Sequence, residues 1–367
     1  MKRKNFAIGC TALLGSGLLA AGGYAAYMQS HYYRIQDFDS LESGGAPKES
    51  APLCCGVPYS AMTYNIGFGA YNPEFSFFMD QGTMADGMVV RGKHARAQSS
   101  AIVKSNTQGA VRALQAQHAD FYLLQEVDRK ATRSFGIDQS AVAAAALPEY
   151  ATVFASNFHS PYLLYPFHEP HGSVESGLLL LSRYNISVAV RRSYPVNESF
   201  FSRFFDLDRA FVLLRIPVEN GKELVLINSH MSAYDKGGTV RARQLALLNS
   251  VLAEERALGN YVLAGGDFNH ALGGSERAFA SKQQFPGWVY TLKDADLAEG
   301  YRVVLADNIY KVATCRSSEI PYTAGVGYST VVDGFLVSDN IAATAHNLDL
   351  EFAFSDHNPV IVTIELQ

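Results

Sequence analysis

From residue 59 to the C-terminus, short apolar runs alternate with polar and glycine-rich breaks, and most of the runs deliver an acid, amide or histidine at or near one end. Runs of this length, bounded by Gly, Asn, Asp or Ser, predict buried strands. Tyr59–Ile66 brings Asn65 to its end and is followed by Gly67 and Gly69, while Phe121–Val127 carries Gln125 and Glu126. Ser176–Arg183 is a further strand, and Glu223–His230 closes on a histidine after a turn centred on Asn220-Gly221. In Tyr261–His270 two glycines precede Asp267 and Asn269, which alternation along an extended chain sends to the same side. Ser329–Ser338 places Asp333 in an apolar strand, and Ser355–Ile364 opens with Asp356 and His357. Apolar positions at helical spacing predict helices over Ser105–His118, capped by Asn106 or Thr107, and over Arg241–Leu258, with Arg241, Arg243, Glu254 and Glu255 largely off its apolar face.

Each polar strand end has a plain reading beside the chemical one. Asp267 and Asn269 suit a turn that bonds its own backbone, and Glu126 suits a surface ion pair. Their chemical reading is a shared rim on which carboxylates offer oxygen ligands to a hard cation.

The N-terminus has a different pattern. Lys2, Arg3 and Lys4 precede Phe6–Met28, a stretch without charge. It is long enough for a membrane-spanning helix and longer than the apolar core of most cleaved signals. Residues 1–30 are therefore expected to be a signal anchor, with a cleaved signal peptide as the alternative and Ala20, Ala21, Ala25 and Ala26 as material for a cleavage site. The basic flank predicts that the rest of the chain lies outside the cytoplasm, bound to the membrane or secreted if the signal is cleaved. Residues 31–57 read as a linker and 58–367 as one domain.

With 48% hydrophobic and 18% charged residues, the 367-residue chain is not a disordered protein. Beyond the first four residues it holds 27 basic against 35 acidic groups, a formal charge of −8, which disfavours long-range attraction of nucleic acid. Cys54, Cys55 and Cys315 are too few for a disulfide framework and lack zinc spacing. Two aromatic stretches, Phe158–His171 and Ser199–Phe205, read as packing more readily than as a ligand box.

Taken in order, the segments Thr-Tyr-Asn-Ile, Leu-Gln-Glu-Val-Asp, Asn-Ser-His, Gly-Gly-Asp-Phe-Asn, Val-Asp-Gly-Phe-Leu-Val-Ser and Ser-Asp-His-Asn-Pro-Val resemble the endonuclease/exonuclease/phosphatase superfamily from about Tyr59 to Leu366. The resemblance implies an α+β fold, a four-layered α/β/β/α sandwich of two mainly antiparallel sheets flanked by helices. It also implies hydrolysis of a phosphate ester by an activated water. Glu126 would hold Mg²⁺ or Mn²⁺, with Asn65 nearby and Asp356 adding a ligand or an outer contact. Asp267 and Asn269 would hold the water and the phosphate, and Asp333 would orient His357. His230 would act as an acid or bind phosphate, Arg209 would contact phosphate, and Glu169 would pair with His230. Apurinic endonucleases generally lack a histidine at the position of His230, which points away from that branch.

The expected activity is that of a membrane-anchored, metal-dependent phosphohydrolase acting outside the cytoplasm, on a phosphodiester such as a lipid headgroup. An extracellular nuclease on DNA or RNA is the alternative substrate reading. A catalytically inactive binding module on the same fold is the rival from another class, and the complete set of acids and histidines speaks against it.

Overall fold

The computed structural model describes residues 2–196, 207–233, 238–287 and 289–367, with side chains from residue 15 onward. Two seven-stranded sheets stack face to face. In the first, the strands Asp39–Ser40, Val188–Ser193, Ala210–Pro217, Glu223–His230, Tyr261–Asp267, Asp333–Ser338 and Tyr301–Val304 lie side by side in that order. In the second, the order is Ile341–Asn347, Val360–Leu366, Pro58–Asn65, Phe121–Asp128, Gly172–Ser182, Ala151–Leu163 and Ser43–Gly44.

Strand alternation explains the layering. In the second sheet, Ala61, Phe121, Leu123, Leu178 and Leu180 point inward to the core shared with the first sheet. Their neighbours Met62, Tyr64, Tyr122, Leu124, Leu179 and Leu181 point outward, onto Ala110, Val111 and Leu114 of one helix and Ala143 of another. Both faces of this sheet are therefore covered, which is why its strands read as continuous apolar runs. The first sheet is covered by the helix Thr239–Ala257, through Leu245, Leu248, Val251 and Leu252. Each fully buried Leu contributes roughly 1.5–3 kcal/mol.

The pairing is antiparallel except at one place in each sheet. Pro58–Asn65 runs parallel to Phe121–Asp128, and Glu223–His230 parallel to Tyr261–Asp267. A parallel pair brings two C-terminal strand ends to one rim. These two pairs carry Asn65 beside Gln125 and His230 beside Asp267.

Local expectations need three corrections. The helix predicted over Ser105–His118 spans Ser100–Gln117 and is capped by Ser99, whose side chain accepts from Ile102 N; Asn106 and Thr107 are buried within it. Arg241 and Glu255 lie on the covered side of the helix Thr239–Ala257, not off it. Residues 31–57 do more than link, since Asp39–Ser40 and Ser43–Gly44 add an edge strand to each sheet and Leu53 is fully buried. The N-terminal apolar stretch lies within a helix, Lys2–His31, but among the described residues no helix is long and apolar enough to cross a membrane. The side chains of Phe6–Leu14 and all of Ser199–Phe205 lie outside the described residues.

Candidate active site

The Gly265-Gly266 pair is required by close packing. Gly266 has φ +145°, and a Cβ there would lie 1.9 Å from Ser229 O, so only glycine lets the two parallel strands run on to His230 and Asp267. Beyond it, Asn269 turns left-handed at φ +50°, with its N–H donating to Asp267 Oδ1 at 2.9 Å and its side-chain amide donating to Met231 O at 2.9 Å. The turn that bonds its own backbone is therefore present, and it also serves the rim. Asp267 Oδ1 is consumed by the turn, while Oδ2 remains directed at the other site groups.

Glu126 reaches the rim by a second device. Between Leu124 and Val127 the register slips against Leu179 and Gly177, and Glu126 takes φ +53°. Such a bulge re-aims a side chain at a backbone cost of about 1–3 kcal/mol for a non-glycine left-handed residue. The carboxylate meets Asn65 Nδ2 at 3.4 Å and His230 Nε2 at 4.0 Å. Asn65 also donates to Asp267 Oδ2 at 3.1 Å, which joins the two sheets across the rim.

Asp267 Oδ2 lies between two histidines, 3.6 Å from Nε2 of His230 and 3.8 Å from Nε2 of His357. The two rings have opposite charge preferences. Burial and the cations Arg209, His357 and Arg133 hold His230 well below the usual imidazole range. Burial also opposes protonation of His357, but Asp333, at 2.8 Å from Nδ1, overrides it and holds this ring well above that range. Burial, with the like charge of Asp333 beside it, raises Asp267. Paired groups driven apart in this way mark acid and base assignments.

The His357 loop is tied to the second sheet, since Ser355 Oγ donates to Asn65 O at 2.7 Å and accepts from His357 N at 3.2 Å. Asp356 faces the turn after Asn65. A Cβ on Gly67, at φ +52°, would lie 2.9 Å from Asp356 Oδ1, so the glycine keeps that approach open. Arg209 is buried, its charge is felt by Glu126 and His230, and its Nε and Nη1 have no hydrogen-bond partner among the described residues.

Of the expected site residues, Asn65, Glu126, His230, Asp267, Asn269, Asp333 and His357 are linked by these contacts, with Asp356 and Arg209 adjoining. Glu169 is not brought to His230. Its carboxylate accepts from Ala95 N at 2.7 Å and faces His94 at 3.7 Å, while Nδ1 of His230 has no partner among the described residues.

Four participants were given no role by the motif pattern. Arg133 forms two hydrogen bonds to Asp128, stacks 3.8 Å over the Phe68 ring and bears on Glu126. Arg241 donates to Asn269 O at 2.8 Å. Gln125 and Asn228 bond each other at 2.7 Å between the sheets beneath the rim. Of the four, Gln125 and Asn228 had a sequence signal, because each stands in a strand-end motif beside a site residue, Gln125 next to Glu126 and Asn228 two residues before His230.

The donor set fits a hard divalent cation. Burial pushes the Glu126 carboxyl up, Asp356 adds like charge, and the hydrogen bond found for this carboxylate is the long one from Asn65. An oxygen-seeking cation relieves that cost. Asp267, Asp333 and His357 also gather ligand-type atoms within 4.8 Å, although Asp333 already engages Nδ1 of His357.

Residues 62–357 match the model of the Endonuclease/Exonuclease/phosphatase family. The chain belongs to that family. No curated protein sequence matches it. Among solved structures it is similar to an endonuclease/exonuclease/phosphatase from Beutenbergia cavernae, at 16% identity over 84% of this chain and 72% of that one, with a TM-score of 0.55. It is similar to a truncated TDP2 from Caenorhabditis elegans, at 14% identity over 85% and 99%, TM-score 0.51. It also resembles D. rerio TDP2 complexed with a single-strand DNA product, at 13% identity over 84% and 99%, TM-score 0.51. At these identities the likeness establishes the shared sandwich, and the family match establishes the hydrolase class.

Proposed function

We propose that the chain is a divalent-metal-dependent phosphodiesterase, tethered by its N-terminal helix and acting outside the cytoplasm. The observation that carries the chemistry is Asp267 set between a neutral and a cationic histidine at 3.6 and 3.8 Å. Asp267 orients the attacking water and takes its proton as the water oxygen bonds to phosphorus and the ester P–O bond breaks, the leaving oxygen taking up a proton from solvent. The imidazolium of His357, fixed by Asp333, and the guanidinium of Arg209 offset the charge that builds on the phosphoryl oxygens. His230, whose Nε2 faces the carboxylates, donates its N–H into the same space, and Asn269 completes the cradle. Glu126, with Asn65 and Asp356, would hold Mg²⁺ or Mn²⁺, which when bound polarises the phosphoryl group.

The uncharged stretch from Asn5 to Tyr33 after three basic residues supports the tether and its direction. The acidic balance of the remainder weighs against nucleic acid and toward a small or lipid-borne phosphodiester. The test is a turnover screen of the full chain on bis-p-nitrophenyl phosphate, DNA, sphingomyelin and inositol phosphates, with and without chelator. Hydrolysis of a diester that is lost with chelator and restored by Mg²⁺ or Mn²⁺ is expected. Failure on every diester overturns the assignment. Protease added to intact cells is expected to digest the domain, and protection equal to that of a cytosolic control removes the outward orientation.

A further inference from the structure

The hairpin formed by Ala151–Leu163 and Gly172–Ser182 carries a run, Tyr150 to His168, with no Lys, Arg, Asp or Glu. Its base is core, but its tip is not: Phe167 is 82% exposed, Tyr165 55%, Tyr162 39% and Leu164 38%. A soluble tip of this length is normally polar, because loops face water. Large apolar side chains gathered on one turn mark a surface that meets an apolar phase or a partner.

The N-terminal helix indicates which. Tyr24 Oη donates to Tyr162 O and accepts from Leu164 N, both at 3.1 Å, and Tyr27 Oη accepts from Tyr162 N at 3.1 Å. Met28 and Leu163 bury each other between Tyr24 and Tyr32. The last turns of the helix are thereby fastened along the hairpin. The helix continues away from this point without a charged residue back to Asn5, and Leu18 and Leu19 on it are 74% and 79% exposed. An apolar phase that accepts the helix lies next to the tip. Tyrosines at the junction suit the headgroup region, where their rings are apolar and their hydroxyls bonded.

The tip also packs on the segment of residues 67–79 that follows Asn65. Tyr165 packs 5.9 Å from Phe78, which precedes the exposed Met79. The same segment carries Phe68, stacked on Arg133, whose charge bears on Glu126.

We propose that the Tyr162–Phe167 tip is a second membrane contact, seated in the headgroup and upper acyl region of the bilayer that holds the helix, and that it presents the active site to a phosphodiester carried on a lipid. This inference rests on the tethered reading above, and the experiment separates the two. The full chain is reconstituted in phosphatidylcholine vesicles containing brominated acyl chains, as wild type, Phe167→Trp and Leu18→Trp. The single native tryptophan, Trp288, supplies the background in all three. Added fluorescence from both new tryptophans is expected to be quenched. Quenching at position 18 alone leaves the tether and overturns the hairpin contact. Quenching at neither position overturns both, and quenching at 167 alone leaves the hairpin contact and overturns the tether. As a second readout, the full-chain variants Tyr165→Ser and Phe167→Ser are expected to lose about tenfold in turnover of a vesicle-borne diester, the scale of one buried aromatic side chain. Bis-p-nitrophenyl phosphate turnover is expected to hold within about twofold. Equal losses on both substrates, or none on either, overturn the proposal.

Discussion

Two buried histidines show how differently this fold uses the same side chain. His357 sits on the rim with Nδ1 against the Asp333 carboxylate and its other nitrogen toward Asp267, and it is held in the charged form. His171 sits where the loop of the aromatic hairpin rejoins its second strand, with Nδ1 2.6 Å from Ala95 O, and it is held neutral. Burial pushes its pKa down to about 4, with the nearby Arg133 cation adding to the effect. A carbonyl satisfies one N–H, whereas a carboxylate satisfies a charge. The first environment prepares a ring for reaction and the second fastens two loops, and the difference lies in the partner, not in burial.

The comparison is broken most severely on the rim. Glu126→Gln keeps the side-chain volume but removes the charge needed for a hard cation, so metal-dependent turnover is expected to vanish while circular dichroism stays unchanged. Mg²⁺ affinity by calorimetry is expected to fall with it, and wild-type activity takes Glu126 out of the metal site. His357→Ala and His230→Ala are each expected to lose about 10²–10⁴-fold in kcat. Because both flank one carboxylate, the double variant should lose far less than the product of the single losses. Asp333→Asn belongs to the same group, since an amide removes the charge that fixes the imidazolium. Fully multiplicative losses separate the two rings and end the shared-phosphate reading.

How much of this was legible in the chain follows from the kind of signal each part leaves. Strand ends such as Asn228-Ser-His230 and Gly265-Gly-Asp267 are local patterns, so the rim and the order of its residues were readable in the chain, and the layered sandwich followed from the family resemblance those patterns carry. Contacts made by the long cations Arg133 and Arg241 leave no local pattern, because guanidinium groups reach across elements from positions whose neighbours look like ordinary surface. The edge strands at Asp39–Ser40 and Ser43–Gly44 were read as linker because each is two residues long and polar; only sheet edges far away in sequence, at Arg191 and Val153, make them strands. The cap at Ser99 was missed because the helical spacing of apolar residues was read only from Ser105 onward, well over one turn later.

His171 sharpens the comparison through pH. Its folded-state value of about 4 lies below the ordinary imidazole value near 6.5, so between these pH values the unfolded chain binds the proton and the folded chain does not. Stability from this group is complete above about pH 6.5 and is lost as pH falls toward 4, by about 3 kcal/mol. Urea unfolding of the full chain at pH 7.5 and at pH 4.5 is expected to show this loss in the wild type and a markedly smaller one in His171→Gln. An equal acid limb in both proteins shows that His171 is not held neutral by the fold.

The smallest effect is expected at Glu169, a residue whose sequence context suggested the rim. Its carboxylate caps Ala95 N at 2.7 Å and faces the half-buried His94, so it belongs with His171 in the loop fastening. In Glu169→Gln the side-chain carbonyl still accepts from Ala95 N, and only the charge component of that bond is lost, on the order of 1 kcal/mol. A pairing with His230 predicts the opposite, because removing the acid that orients a catalytic imidazole lowers kcat as Asp333→Asn does. Glu169→Gln is therefore expected to shift the unfolding midpoint slightly and to leave kcat on bis-p-nitrophenyl phosphate within about twofold of wild type. A hundredfold fall in kcat with an unchanged midpoint would return Glu169 to His230. It would also mean that the hairpin loop swings onto the rim during turnover, and the division between a reacting histidine and a fastening one would then fail at this residue.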